Sequence, residues 1–245
     1  MINPDFVAFS DTSMIIIFFG FKSFSMLFPL FILLFRKIYI NRFCLFYMIY
    51  FNDKRALKFL GDEGFSIVEG VCVKRISGVK RALKKVGLPS IARASSNKIL
   101  YGGHLKGTVT DVKTYSEALS IFKGFVKIKG VNGVLFQKKI DGKEFFVGLV
   151  RDSDLGELLF FGDYKNKEDL VFRSCPVDKK EISKMIRETK IGKKVSKKVL
   201  LILQDNLKRL SDLYEKYPYI ENLNISPLVV HKNKGKLKGA TIIFN

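Results

Sequence analysis

The sequence predicts an α+β fold on a mixed or antiparallel sheet, behind a hydrophobic N-terminal segment. Three patterns point there. Short apolar runs of strand length succeed one another between residues 133 and 173, with turn residues between them. Two helical patterns then come together rather than alternating with strands, and a pair of strand-like runs closes the chain.

In chain order, Asp53 is placed to cap a short helix through Phe59, closed by Gly61 and Gly64. Residues 66–74 (SIVEGVCVK) read as a strand. Ser77 caps a helix over GVKRALKKV, stopped by Gly87 and Pro89. Residues 89–95 and 106–112 read as strands around a loop holding Gly102 and Gly103. Ser116 opens a helix, with Glu117 in its first turn, that runs to about Lys129. Residues 133–140 and 143–151 read as a hairpin about Asp141-Gly142, a type I′ signal. Strands at 155–161 and 170–173 follow. The second of the next two helices sets Val195, Val199, Ile202, Leu203, Leu207, Leu210 and Tyr214 on one face. Residues 223–231 and 238–244 form the closing strand pair, and no internal repeat occurs after residue 50.

A chain of 245 residues has room for one large domain or two small ones, and a hydrophobic content of 47% argues against disorder. Lys and Arg number 43 against 23 Asp and Glu, a formal charge of +20. That excess favours polyanions such as nucleotide phosphates, coenzyme A, nucleic acid or anionic lipid. A lysine-rich surface set by genome composition accounts for it equally well. Cys44, Cys72 and Cys175 show no paired spacing, which points to a reducing compartment and no metal–thiolate site.

Residues 14–35 are almost wholly apolar, broken only by Lys22, Gly20, Pro29 and two serines, and residues 38–51 carry only Asn41 and Arg42. The first run is long enough for a bilayer core of about 30 Å, with Arg36, Lys37 and Arg42 holding its C-terminal flank in the cytoplasm. A cleaved signal peptide fits less well, for want of a basic opening and a small-residue cleavage site. Translated AT-rich DNA upstream of a start at Met48 explains the same composition. Membrane anchor and mis-set start both stand, with a buried soluble helix behind them, and residues 1–47 are expected to add little to the core.

From Asn52 to Phe244 the chain resembles the ATP-grasp β subunit of ADP-forming acetate–CoA ligases, and more distantly succinyl-CoA synthetase β subunits. The resemblance rests on four stretches in order. NDKRALKFLGDEGFSIVEGVCVK is similar to the family's entry helix and first strand, and VKRALKKVGLPSIAR to its helix ending G-x-P. GVLFQKKIDGKEFFVGLVRDSDLGELLFFG resembles the linker strand and central hairpin, and YPYIENLNISPLVVHKNKGKLKGATIIF the closing I-x-E-L-D-I-N-P-L segment. The resemblance implies two lobes of mixed or antiparallel sheet with packed helices over residues 48–245. It also implies a cleft between the lobes, with its seam near Gln137 and Arg93 pointing into it.

The same resemblance implies a site for ATP or ADP with Mg2+. Arg93 stands where the family has the lysine over the phosphates, keeping the charge and adding a bidentate grip. Val134, Leu135, Phe136 and Gln137 would line the adenine slot, followed by Lys138 where the family usually has an acid. Tyr101 replaces the family's phosphorylated histidine, with His104 three residues later. The D-I-N that helps hold magnesium is Asn224-Ile225-Ser226, two neutral donors where charge is favoured. Glu157, Glu168 and Asp169 are the acids that could compensate.

Function follows from these substitutions. The leading expectation is a nucleotide-binding, β-subunit-like component of an acyl-CoA synthetase that interconverts acyl-CoA, ADP and phosphate with acid, CoA and ATP. An α-like subunit would supply CoA or acyl-CoA binding, and the active site of this chain would be partly degraded. The alternatives are a non-catalytic scaffold or regulatory relative, and a basic nucleic-acid-binding protein supported by Lys193-Lys194 and Lys197-Lys198 but lacking interleaved aromatics. The expected location is the cytoplasm, with membrane anchoring through residues 14–35 as the variant.

Overall fold

The computed structural model describes residues 14–15, 48–96, 107–166 and 168–245. It divides into two units, Met1–Ile49 with Asn245, and Tyr50–Phe244. In the first, Met14–Ile15 (β1) pairs antiparallel with Met48 and Ile49 of strand Met48–Phe51 (β2). Apart from Met14 and Ile15, the apolar run expected to anchor a membrane lies outside the described residues. Among the described residues, no helix is long and apolar enough to cross a membrane.

The second unit opens with helix Asp53–Asp62 (α1). Its cap is Asn52 rather than Asp53: Asn52 sits in extended backbone and its Oδ1 accepts from the Arg55 amide. Asp53 is therefore the first helical residue, and its carboxylate is free to turn elsewhere. The chain then passes through Gly70–Val73 (β3), a short 3-10 turn at Ile76–Gly78 and helix Val79–Val86 (α2) to Ser90–Ser96 (β4). Thr108–Val112 (β5), helix Tyr115–Val126 (α3) and Val131–Lys138 (β6) complete the smaller sheet, in the order β3-β6-β4-β5. Ser77 lies inside the 3-10 turn and Ser116 inside α3, which is capped one turn-defining residue earlier by Thr114. Thr114 holds the extended backbone a cap needs, whereas Gly78 before α2 is helical and makes no side-chain cap bond.

The larger sheet follows from Lys143–Asp152 (β7), Gly156–Asp163 (β8) and Leu170–Ser174 (β9). Helices Lys179–Glu188 (α4), Lys190–Lys193 (α5) and Lys197–Lys216 (α6) come next. The chain ends on Ile220–His231 (β10), Lys234–Leu237 (β11) and Ala240–Phe244 (β12). Through this unit the order is β2-β12-β10-β7-β8-β9, with β11 beside β10.

Two cores hold these sheets. Apolar faces of α1, α4 and α6, including Leu60, Ile182, Leu203, Leu207 and Leu210, pack on Phe145, Leu149, Phe161, Leu223 and Ile242 of the larger sheet. Val79, Leu83, Ala118 and Phe122 of α2 and α3 cover Ala92, Val134 and Phe136 of the smaller one. Burying side chains of this size contributes roughly 1.5–3 kcal/mol each.

The expected hairpin about Asp141-Gly142 does not form. Strand β6 pairs with β3 and β4, whereas β7 pairs with β8 and β10, so the Asp-Gly pair carries the chain from one sheet to the other. Residues 133–137 are buried on both faces, the mark of a central strand. A small apolar cluster of Val68, Ile140 and Val229 sits under the crossing.

On the sheet face away from α4 and α6, Gly148 lies between Asn224 and Phe160 in register. A Cβ there would fall 1.9 Å from the Leu223 carbonyl oxygen and 2.6 Å from the Phe160 ring. Gly148→Ala is expected to cost about 3 kcal/mol or more in urea unfolding, because backbone cannot yield as a side chain does. Gly124→Ala in α3, where nothing lies within 4 Å of the new methyl, should instead stabilise by about 0.5 kcal/mol in the same assay.

Candidate functional site

Between the two sheets lies a cleft of about 730 Å³. Ile91, Ile140 and Ile191 supply apolar wall, and Lys139, Lys143, Lys165, Lys194 and Lys238 outnumber the acids Asp141, Glu144 and Asp163. Two of the lysines are neutralised locally. Lys139 Nζ lies 2.7 Å from Asp111 and Lys238 Nζ 2.7 Å from Glu144. The hydrogen bond to Asp111 holds the Lys139 ammonium above its ordinary value, and the same bond holds the Asp111 carboxyl below the usual range. Lys143 Nζ donates only to the Lys194 carbonyl, at 3.0 Å, so its charge has no carboxylate against it there.

One end of the cleft is stitched by buried polar contacts. Strand alternation sends Ile91 and Arg93 of β4, with Gln137 and Leu135 of β6 opposite them, to the face away from α2 and α3. Arg93 Nη1 donates to the Lys238 carbonyl at 3.0 Å, and Gln137 Nε2 donates to the same oxygen at 2.9 Å. Arg93 Nη2 lies 3.7 Å from Asp53 Oδ2, while Asp53 Oδ1 accepts the Ala240 amide at 2.9 Å. Asn52 Nδ2 adds a buried bond to the Ser96 carbonyl at 2.8 Å. Burial, and next the Asp53 charge, push the nearby Tyr50 phenol above its ordinary value.

Of the residues expected to line an adenine slot, Leu135 and Gln137 lie on the face of β6 away from α2 and α3, and neither is among the residues that line the cleft. Val134 and Phe136 point into the smaller core instead. Gln137 is fully buried, and among the described residues its Oε1 has no partner. Arg93 sits directly opposite Leu135 across the β4–β6 ladder and bonds the carbonyl of the lining residue Lys238 without lining the cleft itself. Tyr101 and His104 lie outside the described residues.

The expected metal positions offer little charge. Asn224 Nδ2 donates to Asn222 Oδ1 at 2.6 Å, and Ser226 reaches the stitched end by donating its amide to the Gly239 carbonyl at 2.9 Å. Two of the three compensating acids are occupied elsewhere, and the third, Glu168, is exposed. Glu157 pairs with Arg151 at 2.8 Å, and the Asp169 carboxylate takes the Lys190 and Ile191 amides at the start of α5, at 3.1 and 3.2 Å. Among the described residues, no group of three His, Cys, Asp or Glu side chains could hold a metal ion.

Sequence reasoning missed Asp53, Lys238 and Glu144 as members of this site. Asp53 reads as a helix cap, and a lysine in a lysine-rich turn carries no mark of its own.

A family model described as an ATP-grasp domain matches residues 50–243. Acetate–CoA ligase (ADP-forming) I of Archaeoglobus fulgidus is 25% identical over 199 residues, 71% of this chain and 29% of that protein. The β subunit of acetate–CoA ligase (ADP-forming) I of Pyrococcus furiosus is 24% identical over 178 residues, 65% of this chain and 77% of that one. The chain thus spans under a third of the first relative and most of the second. A solved structure of Ca. Korarchaeum cryptofilum dinucleotide-forming acetyl-coenzyme A synthetase 1, in complex with coenzyme A, Ca-AMPCP and HgCl+, shares the fold at TM-score 0.71. Identity there is 18%, over 86% of this chain and 98% of that one.

Arg93→Ala removes one hydrogen bond and one ion pair that hold the sheets together. It should lower unfolding free energy by about 1–3 kcal/mol in urea, without changing the steepness of the transition.

Proposed function

This chain belongs to the ATP-grasp family, and on that premise we propose that it binds ATP or ADP in the cleft between its two sheets. The observation that carries the reading is the lining of the cleft, where Lys143, Lys165 and Lys194 stand beside an apolar wall. Such a lining suits the phosphates and the planar base of a nucleotide. Ile91 and Ile140 offer the apolar wall such a base requires. Arg93, on the same face, is the cation for the phosphates, through a guanidinium that grips two oxygens at once.

The wider role proposed is that of a β-subunit-like component of an ADP-forming acyl-CoA synthetase, with CoA or acyl-CoA held by an α-like partner. Support comes from the relatives named above, among them a separate β subunit of which the match covers 77%. Magnesium fits poorly. Asn224 and Ser226 are neutral, and of the acids expected to compensate, Glu157 is engaged with Arg151 and Asp169 with the start of α5. No step is therefore assigned to a metal held by this chain. Tyr101 has no imidazole to carry a phosphoryl group, so the chain is proposed to bind nucleotide without relaying phosphate.

Calorimetric titration of the full chain with ATP and ADP tests this reading. Weak binding is expected, reduced by about tenfold or more in Arg93→Ala, since each tenfold step corresponds to about 1.4 kcal/mol. With an acetate–CoA ligase α subunit, ADP, phosphate and acetyl-CoA, no phosphohistidine should form. Steady ATP synthesis with phosphate mapped to His104 would overturn the loss of relay, and no binding of either nucleotide would overturn the reading itself.

A further inference from the structure

Arg93 is held in an unusual way for a half-buried cation. Its Nη1 has a good bond to the Lys238 carbonyl, but its charge partner Asp53 stands 3.7 Å away, too far for a direct hydrogen bond. Asp53 cannot move closer without losing its own contacts. Its Oδ1 is bound to the Ala240 amide, and its backbone is fixed at the first turn of α1 by the capped Asn52, itself tied to the Ser96 carbonyl. On the other side the guanidinium lies against Gly239, where a Cβ would fall 2.2 Å from Nη1 and 2.7 Å from Nη2. The remaining N–H groups of Arg93 make no hydrogen bond among the described residues. The cation is thus positioned by two backbone contacts and neutralised at a distance, with donors left over.

Resting on the nucleotide reading above, we infer that Asp53 sets the affinity of the cleft by competing with the ligand's phosphate for Arg93. A phosphate making two charge-assisted bonds at about 2.8 Å is a stronger partner for the guanidinium than a carboxylate held at 3.7 Å. Binding therefore exchanges one anion for another rather than pairing a bare cation. Asp53 also sets its own negative charge against the incoming phosphate. Both effects belong to the phosphate and neither touches the base or sugar, so the change in the ratio of ATP to adenosine affinity on substituting Asp53 reports on this competition.

The experiment compares ATP and adenosine binding by calorimetry in the full wild-type chain, Asp53→Asn and Asp53→Glu. Asp53→Asn keeps an oxygen for the Ala240 amide and removes the charge. It should tighten ATP by about three- to tenfold, the effect of removing one partly exposed charge, and leave adenosine within twofold. Asp53→Glu, which keeps the charge, should show no gain. Asp53→Ser, which also retains an acceptor, replaces Asp53→Asn if thermal melts show that variant unfolded. ATP affinity unchanged in Asp53→Asn, or ATP and adenosine rising together, would overturn the inference and make Asp53 a purely structural residue. Wild-type chain that binds no ATP, with Asp53→Asn equally silent, would overturn the nucleotide reading and this inference with it.

Discussion

The Lys238 carbonyl oxygen takes hydrogen bonds from two side chains of the smaller sheet, Arg93 at 3.0 Å and Gln137 at 2.9 Å, while the residue itself belongs to the turn between β11 and β12 of the larger one. Few covalent connections join these sheets. Residues 66–69 lead from α1 into β3 and residues 139–142 lead from β6 into β7, with the Val68–Ile140–Val229 cluster between them. A pair of short crossings over a small apolar contact leaves two lobes free to hinge. The doubly bonded carbonyl ties them together, with the Asn52–Ser96 bond and the Arg93–Asp53 pair beside it, and Lys238 itself lines the cleft. Burial makes the bond consequential, because Gln137 is shut off from water and its amide has no other use.

Much of this fold was legible in the chain. The order of helices and strands after Met48, the amphipathic face of α6 and the turn-limited strands all followed from side-chain period. Arg93 on a strand opposite Leu135 was accessible too, since a G-x-P stop before an alternating run specifies the strand's phase. What period cannot reveal is which sheet a strand joins. Asp141-Gly142 has the composition of a hairpin, yet the uninterrupted burial of residues 133–137 places β6 between two partners and leaves no edge for β7. Local turn chemistry was overridden by the burial of the strand preceding it. The four-residue α5 escaped notice for a different reason: it is stabilised by the distant Asp169 carboxylate at its first amides.

The site was half legible for the same reason. Residue type identified the cations and the neutral residues at Asn224 and Ser226, because chemistry is written in the side chain. The state of each group is not. Glu157 and Asp169 were spare acids until their partners could be seen, and Asp53 was a helix cap until Asn52 took that role and released its carboxylate toward Arg93. The reassignments of Asp169 and Asp53 turned on where a backbone amide pointed, and that of Glu157 on the Arg151 side chain.

The charge of +20 then acquires a location. Of the lysines lining the cleft, Lys139 is paired with Asp111 and Lys238 with Glu144, which leaves Lys143, Lys165 and Lys194 facing the cavity without an ion-pair partner among the described residues. Charges along a concave, partly apolar wall act on an approaching anion more strongly than the same charges spread over a convex surface, since less water screens them. A field of that kind draws in any polyanion. Selectivity has to come from groups with direction, and the guanidinium of Arg93, bonded to the carbonyl of the lining residue Lys238, is one such group beside this wall. The lysines alone do not choose between a single nucleotide and a longer polyanion.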